Sequence, residues 1–192
     1  MAGGVVKVYG PAASPYVATV LVCLEEAGAA YRRTSSSPST WRRARTRRRT
    51  TSPVTHVLRK HKSGGDLLRE GDPEKAAMVD VWLEMEAHQY EPAIAEIVRH
   101  CVILPMIGAG GARDQRVVDE SAGKLRAVLA AYKARLREHQ YLAGGDGVSL
   151  ADLAHFDFTH YLMATEYAAL VEERPAVAAW WQRIAARPAA RK

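Results

Sequence analysis

The chain has 192 residues, 48% of them hydrophobic, which is enough for one compact unit or two small ones and excludes a chain too polar to build a core. Its formal charge of +6 suggests an anionic partner only until residues 32–53 are set aside: they hold eight arginines and no acid, and the remainder would carry −2. Two cysteines without CxxC or metal spacing, no long apolar run and no basic-then-apolar leader point to a reduced, cytoplasmic protein with no metal centre and no membrane span.

The segment VVKVY, residues 5–9, is short, β-branched and flanked by glycines, the pattern of a buried strand. A helix is expected from Ser14, whose hydroxyl suits the free amides of a first turn, with Pro15 where no N–H partner is needed and Gly28 as the stop. Residues 32–53 show neither apolar period, and their low hydrophobicity and like charge predict a solvated loop. VTHVLRKHK, residues 54–62, reads as helical up to Ser63-Gly64-Gly65.

From Asp72 onward the pattern is almost wholly helical. Asp72 caps and Pro73 opens a long helix with Met78, Val81, Trp82, Met85 and Ala87 near one face, and Pro92 is expected to kink or divide it. A second long helix, residues 114–139, places Val118, Leu125, Val128, Leu129, Tyr132 and Leu136 on one stripe. In VSLADL, Ser149 and Asp152 are spaced for a capping box and Val148 and Leu153 for a hydrophobic staple. Pro175 opens the last helix. One βα unit succeeded only by helices, five or six of them from about Asp72, is an uncommon order.

The blocks KVYGPAAS, VLVCLEEAG, VLRKHKSGGDLLREGDPEKAAMVDVWLE, YLAGGDGVSLADLAHF and AWWQRIAARPA occur in an order that resembles the plant glutathione transferases of the phi class, everywhere except residues 32–53. The resemblance implies an α/β plus all-α fold. Residues 1–63 would form a truncated thioredoxin-like, glutathione-binding domain, 64–71 a linker, and 72–192 an all-helical C-terminal domain. It implies conjugation of the glutathione thiolate to hydrophobic electrophiles in detoxification, with glutathione as co-substrate, no cofactor and no metal, in a cytoplasmic homodimer. Ser14 matches the family's catalytic serine. A hydroxyl at a helix N-terminus stabilises an anion, and a thiol held there ionises more easily than at its free value of about 8.5.

The chain departs from that pattern after the first helix. Family members carry Gly-x-His-Lys, then Asn-Pro-Phe-Gly-Gln-Val-Pro, then Glu-Ser, groups that hold the rest of glutathione, and none of these stands between the first helix and Asp72. Apart from Ser14, the residues that would hold the tripeptide are therefore unknown, and weak or absent turnover is expected. Residues 39–51, back-translated in GC-rich codons and read from one base earlier, give VDMATGAHKTPDH, which contains the missing His-Lys pair. An out-of-frame segment and a subsequent deletion would produce this. Sequencing the transcript across residues 31–57 tests it, and related genes encoding the arginine run in the present frame would refute it.

The alternative function is a non-catalytic ligand-binding or dimerisation partner acting through the helical domain. A nucleic-acid partner is not expected, because Arg42, Arg43, Arg47, Arg48 and Arg49 have no recognition module beside them and only Trp41 for stacking. His56 with His61, and His155 with His160, are spaced wrongly for two ligands on one helical face and read as surface or packed side chains. GAGGAR, residues 108–113, lacks the Lys-Ser/Thr of a phosphate loop and reads as a turn. Trp82, Met85, Tyr90 and Tyr161 are candidates for an apolar pocket wall, but aromatic residues at helical spacing more often build the core.

Overall fold

The computed structural model describes residues 5–10, 14–34, 51–60, 66–109 and 111–191. The arginine-rich residues 35–50 and His61 lie outside the described residues, as does the loop expected for them. The chain opens with β1 (Val6–Tyr9), α1 (Pro15–Glu26) and β2 (Tyr31–Thr34), and the two strands pair in parallel with Val6 opposite Tyr31 and Tyr9 opposite Thr34. Only β1 was legible as a strand. Arg32–Thr34 carry no apolar alternation, and it is the crossover through α1 that brings them alongside β1.

Along β1, Val8 is buried while Lys7 and Tyr9 are exposed, the two-residue alternation of a strand covered on one face. Val6 N donates to Ala30 O and Gly10 N to Thr34 O. The backbone groups of Lys7 and Tyr9 therefore point to the other edge, which has no strand on it among the described residues. Helix α1 ends at Gly28, whose φ of 61° lets Gly28 N reach Glu25 O and Ala29 N reach Leu24 O, so two terminal carbonyls are satisfied.

Helix α2 (Thr51–Lys60) buries Val54 and Leu58, one turn apart. Helix α3 (Pro73–Met85) begins as expected, with Asp72 Oδ1 accepting from Glu74 N at 3.1 Å and Lys75 N at 3.2 Å. Its buried face is Val79, Trp82 and Leu83, which leaves Val81 52% exposed, on the solvent side and not on the predicted stripe. Pro92 does not divide the helix. The chain passes through a widened turn at Glu86–Tyr90, in which Glu91 N bonds Glu86 O, and continues as α4 (Glu91–Val98). A second widened turn, Arg99–Ile103, leads into α5 (Leu104–Met106). Each widened turn ends two residues before a proline, Pro92 or Pro105, and accommodates a residue that has no N–H and whose ring crowds the preceding turn.

Helix α6 (Gln115–Glu138) is capped by Asp114 and buries Val118, Ser121, Ala122, Leu125, Leu129, Tyr132 and Leu136, the predicted stripe with Val128 at its margin. Helices α7 (Leu150–Leu153), α8 (Phe156–Leu162), α9 (Ala169–Glu172) and α10 (Pro175–Ala185) complete the bundle. The capping box of α7 forms, with Ser149 N and Oγ both donating to Asp152 Oδ2. Asp152 Oδ1 also accepts from Leu142 N and from Trp180 Nε1 of α10, so one buried carboxylate joins the preceding loop, α7 and α10. The loop before it is packed closely too: Gly145, at φ 74°, makes room for the Arg69 guanidinium, and a Cβ there would sit 2.9 Å from Arg69 Nη1.

Helix α1 is held at both ends by the helical region. Its first turn presents Tyr16 edge-on to Phe158 of α8, with ring centroids 5.6 Å apart, and the Tyr16 hydroxyl donates to Glu91 Oε1 at 2.7 Å. Its last turn presents Glu26, which receives two 2.6 Å bonds from Arg187 near the end of the chain.

Candidate active site

Ser14 stands immediately before α1 with extended dihedrals, φ −80° and ψ 124°. Its carbonyl accepts from Val17 N and Ala18 N, but its hydroxyl makes no capping bond, contrary to the role expected of it as a helix cap. The residue is half-buried. Without a capping bond, the hydroxyl lies beside the first-turn amides and the positive end of a twelve-residue helix, and Ser14 lines neither of the two cavities that border α1.

A cavity of about 20 Å³ lies between the first two turns of α1 and the helical region. Tyr16 and Thr19 form one wall, and Glu86, Glu91 and Asp157 the other. It has room for about one water molecule and cannot take a tripeptide. Burial, and after it the charges of its neighbours, raises Glu86 to about 9. Asp157 is raised to about 7, chiefly by burial. Burial and the bond to Glu91 also raise the Tyr16 hydroxyl, so it remains a donor at neutral pH. Sequence reasoning missed this group because Glu86 and Glu91 look like solvent-facing acids and nothing local brings Asp157 to them.

An open cleft of about 660 Å³ lies at the other end of α1, walled by Glu26, Asp66, Arg69, Lys75, Gly147 and Arg187. Helix α1 is twelve residues long, which at 1.5 Å per residue places this cleft on the order of 18 Å from the Ser14 end.

A family model described as the glutathione S-transferase C-terminal domain matches residues 90–188. A probable glutathione S-transferase, GSTF1, of Oryza sativa subsp. japonica is 45% identical over 97% of this chain and 94% of its own length. Glutathione S-transferase 4 of Zea mays is 47% identical over 100% and 93%. The chain belongs to the plant phi-class glutathione S-transferases.

Solved structures place the transferase in the same fold. Glutathione transferase F7 from Populus trichocarpa superposes with a TM-score of 0.86 at 35% identity, covering 96% of this chain and 95% of its own. Glutathione S-transferase-I bound with lactoylglutathione gives 0.86 at 38%, covering 96% of both. The architecture is a thioredoxin-like N-terminal portion, reduced among the described residues to two strands, and a helical C-terminal portion. The match to the Zea mays relative spans 212 aligned positions against the 192 residues of this transferase, so at least 20 positions of the relative have no counterpart here.

The remaining candidates are scattered. Tyr90 is buried with its hydroxyl 2.8 Å from Thr159 Oγ1, and Trp82 packs edge-on to Tyr132 at 5.1 Å, so both are core. Met85 and Tyr161 are partly buried against that core, and none of the four lines either cavity. His155 is wholly buried, its Nδ1 2.7 Å from Ala151 O and its Nε2 2.7 Å from the Tyr132 hydroxyl. Burial lowers it to about 3, so it is neutral, with Nδ1–H donating to the carbonyl and Nε2 accepting from tyrosine. His56 and His160 are exposed. Cys23 is buried, Cys101 half-buried, and both are free thiols. The described residues hold no cluster of three potential metal ligands and no helix long and apolar enough to cross a membrane.

Proposed function

We propose that this transferase uses Ser14 to steady the thiolate of glutathione for attack on a hydrophobic electrophile. The sulfur loses its proton to solvent, forms a bond to the electrophilic carbon and expels the leaving group with its electron pair. The observation that carries the reading is the half-buried Ser14 at the start of α1, whose hydroxyl makes no capping bond. A hydrogen bond to a charged sulfur is worth about 1.5–3 kcal/mol and the helix terminus about 0.3–1. Together these correspond to roughly one to three units of thiol pKa. Two solved structures of glutathione S-transferase I support the substrate class by their descriptions, one bound with lactoylglutathione and one in complex with an atrazine glutathione conjugate.

Turnover by this chain is weak. Ser14 acts on the sulfur alone, and the His-Lys, Gln-Val-Pro and Glu-Ser groups that position the rest of the tripeptide in the family are missing. Positioning supplies on the order of 7 kcal/mol or more of the barrier for fully oriented reactants. In this reading residues 1–63 are an incomplete glutathione-binding domain, 64–71 the linker and 72–192 the helical domain that receives the electrophile, in a cytoplasmic homodimer. A second reading, a non-catalytic ligand or dimerisation partner, is favoured by the contrast between the large buried core of the helical region and the two strands found among the described residues.

Conjugation of a chloro-nitro aromatic, run beside retention on immobilised glutathione, separates the two. Slow, glutathione-dependent turnover that falls in Ser14→Ala supports the transferase. Uptake of an apolar dye with neither retention nor turnover supports the second reading.

A further inference from the structure

The seam between α1 and the helical region has an unusual charge make-up. Glu86 is 8% exposed and Asp157 4%, with Glu91 half-buried beside them, and no Lys, Arg or His among the described residues lines their cavity. The titratable surroundings are acids, tyrosines and a thiol, with the neutral His155 behind Tyr132, and Glu26 at the far end of α1 is paired with the Arg187 cation. Helix α1 contributes Tyr16, Cys23 and Glu26; the widened turn Glu86 and Tyr90; α4 Glu91; α6 Tyr132; α8 Asp157 and Tyr161. Helix α2 presents Val54, and α7 with the residue after it Leu150 and Ala154, all apolar.

The hydrogen bonds divide the three acids. Glu91 accepts from Tyr16, which fastens α1 to α4, and Asp157 Oδ1 accepts from Phe158 N of its own helix. Both are acceptor bonds that suit a carboxylate. Glu86 faces the other two across a space that admits about one water. Ionising Glu86 in addition places a third like charge in a poorly hydrated seam, and the strain is relieved by admitting water, which requires α1 to move away. Burial and mutual repulsion bring Asp157 to about 7 and Glu86 to about 9, so both charges change between mildly acidic and mildly basic pH.

We propose that Glu86, Glu91 and Asp157 form a proton-controlled latch between α1 and the helical region, closed while Glu86 is protonated and released when it ionises beside the other two carboxylates. The latch acts on the helix that carries Ser14, but it does not depend on catalysis there. Tyr16 is the tongue of the latch, and its bond to Glu91 is broken as water enters.

Amide hydrogen exchange on the full chain tests this, at pH 6.5 and 8.5, with each rate divided by its intrinsic base-catalysed value. Release of one proton on opening raises the open fraction up to about a hundredfold over two pH units, so the α1 amides are expected to lose at least about tenfold protection. The α6 amides, which open only with the whole fold, are expected to stay at least about tenfold better protected than the α1 amides at pH 8.5. In Glu86→Gln/Asp157→Asn the α1 loss disappears. Unchanged α1 protection in the unaltered chain overturns the proposal, as does equal protection of α1 and α6 at pH 8.5, which marks opening of the whole fold, or a loss that persists in the double variant. Should the double variant not fold, Glu86→Gln alone, which keeps the shape of the protonated acid, is read in the same way.

Discussion

Replacing Asp152 by alanine strikes a side chain that accepts four hydrogen bonds. The buried carboxylate receives Ser149 N at 2.9 Å and Ser149 Oγ at 2.8 Å on one oxygen, and Leu142 N at 2.8 Å and Trp180 Nε1 at 3.0 Å on the other. Alanine leaves three N–H donors facing a dry void; the serine hydroxyl can turn elsewhere. Each stranded donor costs about 1–3 kcal/mol, and with partial relaxation the total is about 3–5 kcal/mol, a large part of the about 5–15 kcal/mol that holds a domain together. Asp152→Asn keeps one acceptor oxygen and turns an NH₂ toward a donor pair, for an expected loss of about 1–3 kcal/mol. Trp180→Phe removes a single bond, worth about 1 kcal/mol. Urea unfolding monitored by far-UV circular dichroism reads all three without relying on tryptophan fluorescence. An Asp152→Ala loss under about 1 kcal/mol, or an asparagine variant no better than alanine, would refute the reasoning that shared burial makes this carboxylate essential.

Ser14→Ala is expected to leave the thermal midpoint almost unchanged, within about 0.5 kcal/mol, because the hydroxyl makes no capping bond; a loss of about 1 kcal/mol or more in calorimetry would show that it does cap. The folded chain binds protons at Glu86 and Asp157 more tightly than the unfolded chain, whose values are 4.5 and 3.8. Their contribution is therefore fullest at acid pH and is lost as pH rises through about 7 and about 9. Thermal unfolding between pH 6.5 and 8.5 should show stability falling, and Glu86→Gln should flatten the slope; a flat profile in the unaltered chain contradicts this. His155 acts in the opposite sense: its value falls from 6.5 to about 3 on folding, so its contribution is complete above 6.5 and is lost toward acid pH. His155→Phe should weaken that acid-side loss, measured by unfolding at pH 4 to 6, while costing about 1–3 kcal/mol at pH 7 for the stranded Tyr132 hydroxyl and Ala151 carbonyl.

Features set by neighbours in the chain were legible in the sequence. Asp72 with Pro73, the α6 stripe and the Ser149–Asp152 box all arise from spacing and capping chemistry, and the structure contains them. Features set by distant neighbours were not. Strand β2 has no alternation of its own and exists through its partner β1, while Val81 turns outward because the buried face of α3 runs through Val79, Trp82 and Leu83. Pro92 was readable as a break, but the widened turn that absorbs it depends on packing around Glu86–Tyr90. At the candidate site, Ser14 was legible from its place before Pro15. Its lack of a capping bond was not, and neither was the meeting of Glu86, Glu91 and Asp157, two of which are separated in sequence from the third by the whole of α6.

The central claim concerns one proton on one sulfur. Titrating bound glutathione by the ultraviolet absorbance of its thiolate, at saturating concentration, compares the unaltered chain with Ser14→Ala directly. The account predicts a thiol pKa at least about one unit below the free value of about 8.5 in the former and, in the latter, a value within about 0.7 unit of it, the part the helix terminus retains. Identical titrations in the two proteins would contradict it.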